Sequence, residues 1–329
     1  MKVAVVGCGV MGAATARALA RRDHDVTIYE QFEVGHKRGS SHGSSRIYRY
    51  SYPDPAYVGM MKEAVVLWRE LETEAATEIL QQTGGLDMGK NLDAHVMALA
   101  EHDIEFERID EAAAATRWPG LRLPPGPVLF QAEGGIVRAN KAWDALTRGA
   151  LEAGARLLEE RRIDDLGPDG FVDYDVTVVT AGGWARDLLA TAGHELATRP
   201  TRETVAFFRI PAVLPTLVDW GDPSVYSLPD PVHGLKVGEH IAGPTTDPDT
   251  EGEVDRESVE RLKSWVSERF TDAHPDPVLA ETCIYTNTAD EGFLIERLGN
   301  IVIGSACSGH GFKFAPLIGK RLADLAEAV

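Results

Sequence analysis

Gly7-Cys8-Gly9-Val10-Met11-Gly12 lies between an apolar run, Lys2 to Val6, and an alanine-rich stretch, Ala13 to Arg22. Three glycines at this spacing, with a strand before and a helix after, admit few local folds. The first makes a tight turn, the second lets a pyrophosphate approach the backbone, and the third lets helix pack closely on strand. The free N–H groups of the helix's first turn then face an anion. Asp25 to Tyr29 reads as a second strand, and Glu30 stands 18 positions after Gly12. That is near the ~20 expected of a carboxylate that binds a ribose hydroxyl. The opening is therefore βαβ, and its expected cofactor contacts are Gly7, Gly9, Val10, Met11, Gly12, Glu30 and Gln31. The motif alone does not separate NAD from FAD.

The chain has 329 residues, 44% of them hydrophobic, which is enough for two domains. Lys and Arg number 33 against 51 Asp and Glu, a net charge of −18. Nucleic acid and anionic membranes select basic surfaces, so neither is an expected partner. No apolar run approaches the ~20 residues of a membrane span. The N-terminus has the charge and small residues of a signal peptide, but its glycines and Arg17 fit a strand, turn and helix better. Cys8, Cys283 and Cys307 are odd in number and scattered. No disulfide framework or metal site is implied, and a cytoplasmic location is expected.

Further along, Gly35 to Ser45 reads as a loop, Pro55 to Gln82 as a long helix, Ala139 to Ala153 as a helix, and Val176 to Val179 as a buried strand. Thr201 to Ala242 alternates in the manner of antiparallel sheet; Ser258 to Phe270 and Lys320 to Ala328 are helical. Strands that suit the nucleotide sheet occur at both ends and near 175 to 183. This predicts a discontinuous nucleotide domain (1–80, 135–200, 288–329) with a second domain (81–134, 201–287) inserted into it.

Three more clusters carry chemistry. In Gly39-Ser40-Ser41-His42-Gly43-Ser44-Ser45-Arg46-Ile47-Tyr48-Arg49, two arginines three apart among hydroxyls suit anion recognition; alone, the segment reads equally as a flexible loop. In Gly234-Leu235-Lys236-Val237-Gly238-Glu239-His240, a strand puts Lys236, Gly238 and His240 on one face: a cation, a gap and an imidazole. In Cys283 to Phe314, a lone cysteine precedes a short strand and a Gly309-His310-Gly311 turn ending in Lys313. The two glycines suggest backbone brought close to a bound group.

Together, Ser40-Ser41-His42-Gly43 with Ser45-Arg46 and Arg49, the Cys283-Ile284-Tyr285-Thr286 run, and Ser308-Gly309-His310-Gly311-Phe312-Lys313-Phe314 resemble the monomeric sarcosine oxidase family. Within it the likeness is to peroxisomal-type sarcosine and pipecolate oxidases and to N-methyltryptophan oxidase. It covers residues 1–60, 175–245 and 281–325. The resemblance implies an α/β fold: an FAD-binding Rossmann-like domain of the glutathione-reductase type with an inserted antiparallel β-sheet substrate domain. It implies FAD linked through Cys283, with Ser40, Ser41, His42, Ser45, Arg46, Ile163, Ala181, Gly182, Trp184, Tyr285, Gly309, His310, Gly311, Phe312 and Lys313 also touching the cofactor. Arg49 and Lys313 would clamp a substrate carboxylate, Tyr226 and His240 would flank its amine, and Lys236 would assist the reaction with O2.

Three departures stand out. The segment around 160 to 175 is short, Tyr226 and Lys236 are one residue closer than in the family, and Glu239 occupies a position beside His240 where an aromatic is expected. The implied activity is FAD-dependent oxidation of a secondary amine of an amino acid, with O2 reduced to peroxide. The protein is expected to be a monomer or weak homodimer. An NAD-dependent dehydrogenase, another amine oxidoreductase of a biosynthetic pathway, or a flavin-binding relative without turnover are the alternatives.

Overall fold

The structure, a computed structural model, describes residues 1–328. Its first sheet has six strands in the order Leu294–Leu298, Ile301–Ser305, Val176–Val179, Lys2–Val6, Asp25–Tyr29 and Arg156–Leu158. All neighbours are parallel except the first pair. Continuous Val and Ile runs suit strands covered on both faces. The helices Val10–Ala20, Ala139–Glu152 and Ala315–Glu327 pack together beside the sheet. A Cβ at Gly319 would come 2.6 Å from the Ala14 side chain, so two of these helices meet through their smallest residues.

The second sheet has eight strands: Leu279–Asn287, Arg199–Phe208, Gly234–Glu239, Val225–Asp230, Thr216–Trp220, Gly85–Gly89, Val128–Gln131 and Glu107–Ile109. It is antiparallel apart from Gly85–Gly89, which runs parallel to Thr216–Trp220. Period-two alternation gives it two faces. Leu235 and Val237 join Phe208 and Leu217 in an apolar cluster with Leu262 and Val266 of the helix Arg256–Arg269. Lys236 and Gly238 take the other face.

Several boundaries differ from expectation. The long helix is Pro55–Ala75, ended by Ala76 in the left-handed region (φ 47°), and Leu80–Gln82 is a strand. With Arg46–Tyr48 and Gly135–Val137 it makes a third, three-stranded sheet. The last helix begins at Ala315 rather than Lys320, with a proline in its first turn. No helix is long and apolar enough to cross a membrane among the described residues.

Candidate active site

The glycine turn is built as its spacing requires. Gly7 has φ +96°, and a Cβ there would lie 2.7 Å from the Thr180 carbonyl oxygen. A Cβ on Gly12 would overlap the Gly7 carbonyl. Gly9 starts the helix Val10–Ala20 without a side-chain cap, and Val10 N donates to Ser41 Oγ at 2.9 Å. The Glu30 carboxylate accepts from Cys8 N (2.8 Å) and Phe32 N (3.0 Å). Burial raises its pKa and those N–H groups oppose the rise. Cys8 is a buried filler, its thiol pushed up to about 12 by burial. Gln31, Ile163, Ala181, Gly182 and Trp184 line the same cavity as Gly7. The Trp184 indole N–H is already engaged, donating to Asp249 at 2.6 Å.

The Gly39–Arg49 segment is not a free loop. Ser40 bonds the Ile284 carbonyl, and Ser44 and Ser45 both bond the buried Asp230 carboxylate. Arg46 donates to the carbonyls of Ser40 (2.9 Å), His42 (2.6 Å) and Ser45 (2.8 Å), so it staples its own loop. The pair of arginines therefore divides its work: Arg46 commits three of its five N–H donors to its own loop, whereas Arg49 Nη1 is buried without a partner. Both nitrogens of the buried His42 ring lack a partner, and burial beside Arg46 and Lys236 lowers its pKa to about 3.

On the cavity face of the second sheet stand Lys236, Tyr226, Cys283 and Tyr285, all buried or nearly so. The gap expected at Gly238 is filled. A Cβ there would meet the Tyr226 ring at 2.6–2.8 Å, so the glycine makes room for that phenol. Tyr226 and Tyr285 hydroxyls lie 3.4 Å apart. Burial lowers the Lys236 pKa to about 7, with Arg46 acting in the same direction. The Cys283 thiol is raised by burial, while Arg46 and Lys236 draw it down. Cys307 also lines the cavity, and its sulfur accepts from Thr286 N at 3.3 Å. Glu239, which stands beside His240 where an aromatic is expected, does not line the cavity. Its carboxylate turns to the other face, where Arg261 and Ser258 hold it at 2.7–2.8 Å.

At the far end, the Arg49 guanidinium is sandwiched between Tyr52 (4.4 Å) and Trp220 (5.0 Å). Its Nη1 is buried without a hydrogen bond, 3.8 Å from Asp87. Asp87 in turn accepts from the Trp220 indole at 2.9 Å. Lys313 Nζ donates to Tyr52 Oη (2.8 Å) and the His310 carbonyl (3.1 Å), leaving one ammonium hydrogen uncommitted. Burial holds its pKa well below the usual lysine value. His240, just past the strand end, bonds the Glu291 carboxylate at 3.0 Å. Tyr52, Asp87, Trp220 and Glu291 are the residues that reading the sequence missed. The glycines of the Gly-His-Gly turn face the protein itself: a Cβ at Gly309 would overlap the Tyr285 ring, and one at Gly311 the Ala306 carbonyl.

One cavity of about 680 Å³ joins these parts, from Gly7 and Glu30 at one end to Arg49 and Lys313 at the other. The residues fit an extended dinucleotide: an uncapped helix N-terminus and a buried carboxylate at one end, and further along the cavity wall Cys283, Lys236 and the unpartnered Arg49 Nη1; His42, expected against the cofactor, is buried and does not line the cavity.

Comparison with known proteins agrees. The FAD dependent oxidoreductase family matches residues 2–325. Human peroxisomal sarcosine oxidase is 33% identical, the alignment covering 98% of this chain and 90% of that one. Monomeric sarcosine oxidase of Bacillus sp. (strain B-0618) is 30% identical over 98% and 91%. Among solved structures, NikD, described as an unusual amino acid oxidase essential for nikkomycin biosynthesis, superposes with a TM-score of 0.87 at 25% identity, covering 99% and 93%. The cofactor left open by the glycine turn is therefore FAD. The chain belongs to the FAD dependent oxidoreductase family and is a sarcosine oxidase-like amine oxidoreductase.

Proposed function

We propose that the protein oxidises the secondary amine of a small amino acid, N-methyl or cyclic, to an imine, with O2 as acceptor and peroxide as product. The observation that carries this reading is the pair of uncommitted donors at the Arg49 and Lys313 end of the cavity. Arg49 Nη1 and the third Lys313 hydrogen belong to two buried cations, which suits the two oxygens of one carboxylate. The names of the relatives, sarcosine oxidase and N-methyl-L-tryptophan oxidase, point to the same substrate class.

Bound flavin supplies the two-electron redox chemistry. The chain's residues bind and orient. Arg49 and Lys313 hold the carboxylate, which fixes where the amine and its C–H can lie; such positioning can lower a barrier by several kcal/mol. Tyr226 and His240 border the amine, and Glu291 holds the imidazole in place. Lys236, which lines the cavity, is the cation assigned to the reaction with O2, and the near-neutral pKa of a buried amine lets it supply or take a proton there. Cys283, a cavity-lining thiol, is the residue proposed to form a thioether to the flavin. The remaining cofactor contacts are those named from the sequence. We keep the division between 1–80, 135–200, 288–329 and 81–134, 201–287 as a proposal: the strands of the six-stranded sheet lie in the first set, and those of the eight-stranded sheet in the second apart from Arg199 and Pro200. Three unpaired cysteines suit a reducing compartment, for which we propose the cytoplasm.

An oxygen-consumption screen over sarcosine, N-methyl amino acids, pipecolate and proline tests the reading. Uptake with peroxide release is expected for at least one, and Arg49→Ala should raise its KM strongly. Uptake that needs no carboxylate on the amine would contradict the clamp.

A further inference from the structure

Lys313 does not stand alone beside Arg49; it begins a chain of hydrogen bonds that reaches the backbone of the exposed Glu291. Its Nζ donates to Tyr52 Oη at 2.8 Å, and Tyr52 Oη lies 3.3 Å from His310 Nδ1. His310 Nε2 lies 3.0 Å from the Glu291 carbonyl oxygen. A carbonyl can only accept, so Nε2 carries the hydrogen. The imidazole is neutral, its pKa lowered to about 3 chiefly by burial. Nδ1 therefore holds a lone pair and can only accept. The ring is fixed in place by Phe293, stacked at 4.8 Å, and by Tyr57 edge-on at 5.2 Å.

We propose that His310 is a positioning residue acting through Tyr52: by accepting the Tyr52 hydroxyl hydrogen it leaves Tyr52 only an acceptor toward Lys313, and so favours the ammonium that a substrate carboxylate needs. A hydroxyl free to turn would instead donate to the lone pair of an uncharged amine. The preference matters because Lys313 is fully buried and its charge is otherwise opposed by desolvation. The other charges that face it, Arg49 and Asp87, act in opposite directions. From the helix Pro55–Ala75, Trp68 contributes only an indole N–H, given to the Lys313 carbonyl at 2.7 Å. The His310 carbonyl, 3.1 Å from Nζ, is a fixed acceptor, so the orientation of one hydroxyl is the polar influence that can change which form Lys313 takes. This inference rests on the reading of Arg49 and Lys313 as the carboxylate clamp.

The test is calorimetric titration of the holoenzyme with propionate, from neutral to alkaline pH. In the wild type, affinity falls as pH rises through the Lys313 value. His310→Gln keeps a donor near the Nε2 position but offers no acceptor at Nδ1. Its fall should begin about one pH unit lower, a tenfold loss of affinity between the two curves, which is what one re-oriented hydrogen bond is worth. His310→Asn, with an acceptor near Nδ1, should restore the wild-type profile. Tyr52→Phe should shift it as His310→Gln does, and the double variant should shift it no further. The proposal is overturned if His310→Gln superimposes on the wild type, or if the Asn and Gln variants shift alike, which would mean lost packing only. Arg49→Ala and Lys313→Met separate the two ideas. If neither weakens propionate, the clamp and the relay both fall. If both weaken it while His310→Gln keeps the wild-type profile, the relay alone falls.

Discussion

Replacing Lys236 by methionine should make the protein more stable at neutral pH. Lys236 is buried on the cavity face of its strand, its Nζ makes no hydrogen bond among the described residues, and the nearest aromatic ring, Phe207, is 5.7 Å away. Burial moves its pKa from 10.5 to about 7. The unfolded chain holds the proton up to 10.5 and the folded chain gives it up near 7, so between these values the unfolded state binds more protons and stability rises with pH. The penalty is complete below about pH 7 and gone above 10.5. A shift of this size, at 1.36 kcal/mol per unit, corresponds to roughly 5 kcal/mol. Methionine fills similar space without a charge, so a gain of about 2–5 kcal/mol is expected at pH 7. Urea unfolding of wild type and Lys236→Met at pH 7 and near pH 10 measures it. The gap should be large at the lower pH and small at the higher. A wild type as stable as the variant at pH 7, or a gap unchanged between the two pH values, would refute the reasoning. Stability given up at this position is what retention of a buried amine for chemistry would require.

Gly309→Ala should destabilise by more than 2 kcal/mol, read from the urea midpoint, because φ there is +73° and the new methyl would overlap the Tyr285 ring; a neutral effect would mean the turn is not packed as described. Asp87→Asn keeps an acceptor for Trp220 but removes the one buried carboxylate beside Arg49, so propionate should bind roughly tenfold tighter by calorimetry; unchanged or weaker binding would contradict its role as counter-charge. His95 and His310 are kept uncharged mainly by burial, at about 4 and about 3. Below pH 6.5 the unfolded chain protonates them first, so each removes about 1.4 kcal/mol of stability per pH unit down to its folded value. The urea midpoint should fall between pH 6.5 and 5, and a flat profile would count against it.

What could be read from the residues was local. Gly7, Gly9 and Gly12 declare themselves because a turn's requirements lie within six positions, and Lys236 could be placed because alternation along one strand is a local rule. The same alternation turns Glu239, one residue from His240, to the opposite face, toward Arg261. The end of the helix Pro55–Ala75 was invisible because an alanine, not a glycine, takes the left-handed position after it. Tyr52, Trp220 and Glu291 escaped notice because their partners lie 261, 133 and 51 residues away. Only the closure of two sheets around one cavity brings them together. The Gly-His-Gly turn was located correctly, but its glycines answer to Tyr285 and Ala306 of the same chain.

The central claim is that one cavity seats a flavin along its length and an amino acid's carboxylate at its Arg49 and Lys313 end. Anaerobic mixing of the purified protein with N-methyl and cyclic amino acids, followed in the visible flavin band, tests it most directly. The account predicts that a yellow protein bleaches with at least one of them and that Arg49→Ala demands far more of the same amine. A colourless protein, or a flavin that stays oxidised with every carboxylate-bearing amine yet bleaches with amines lacking one, would contradict it.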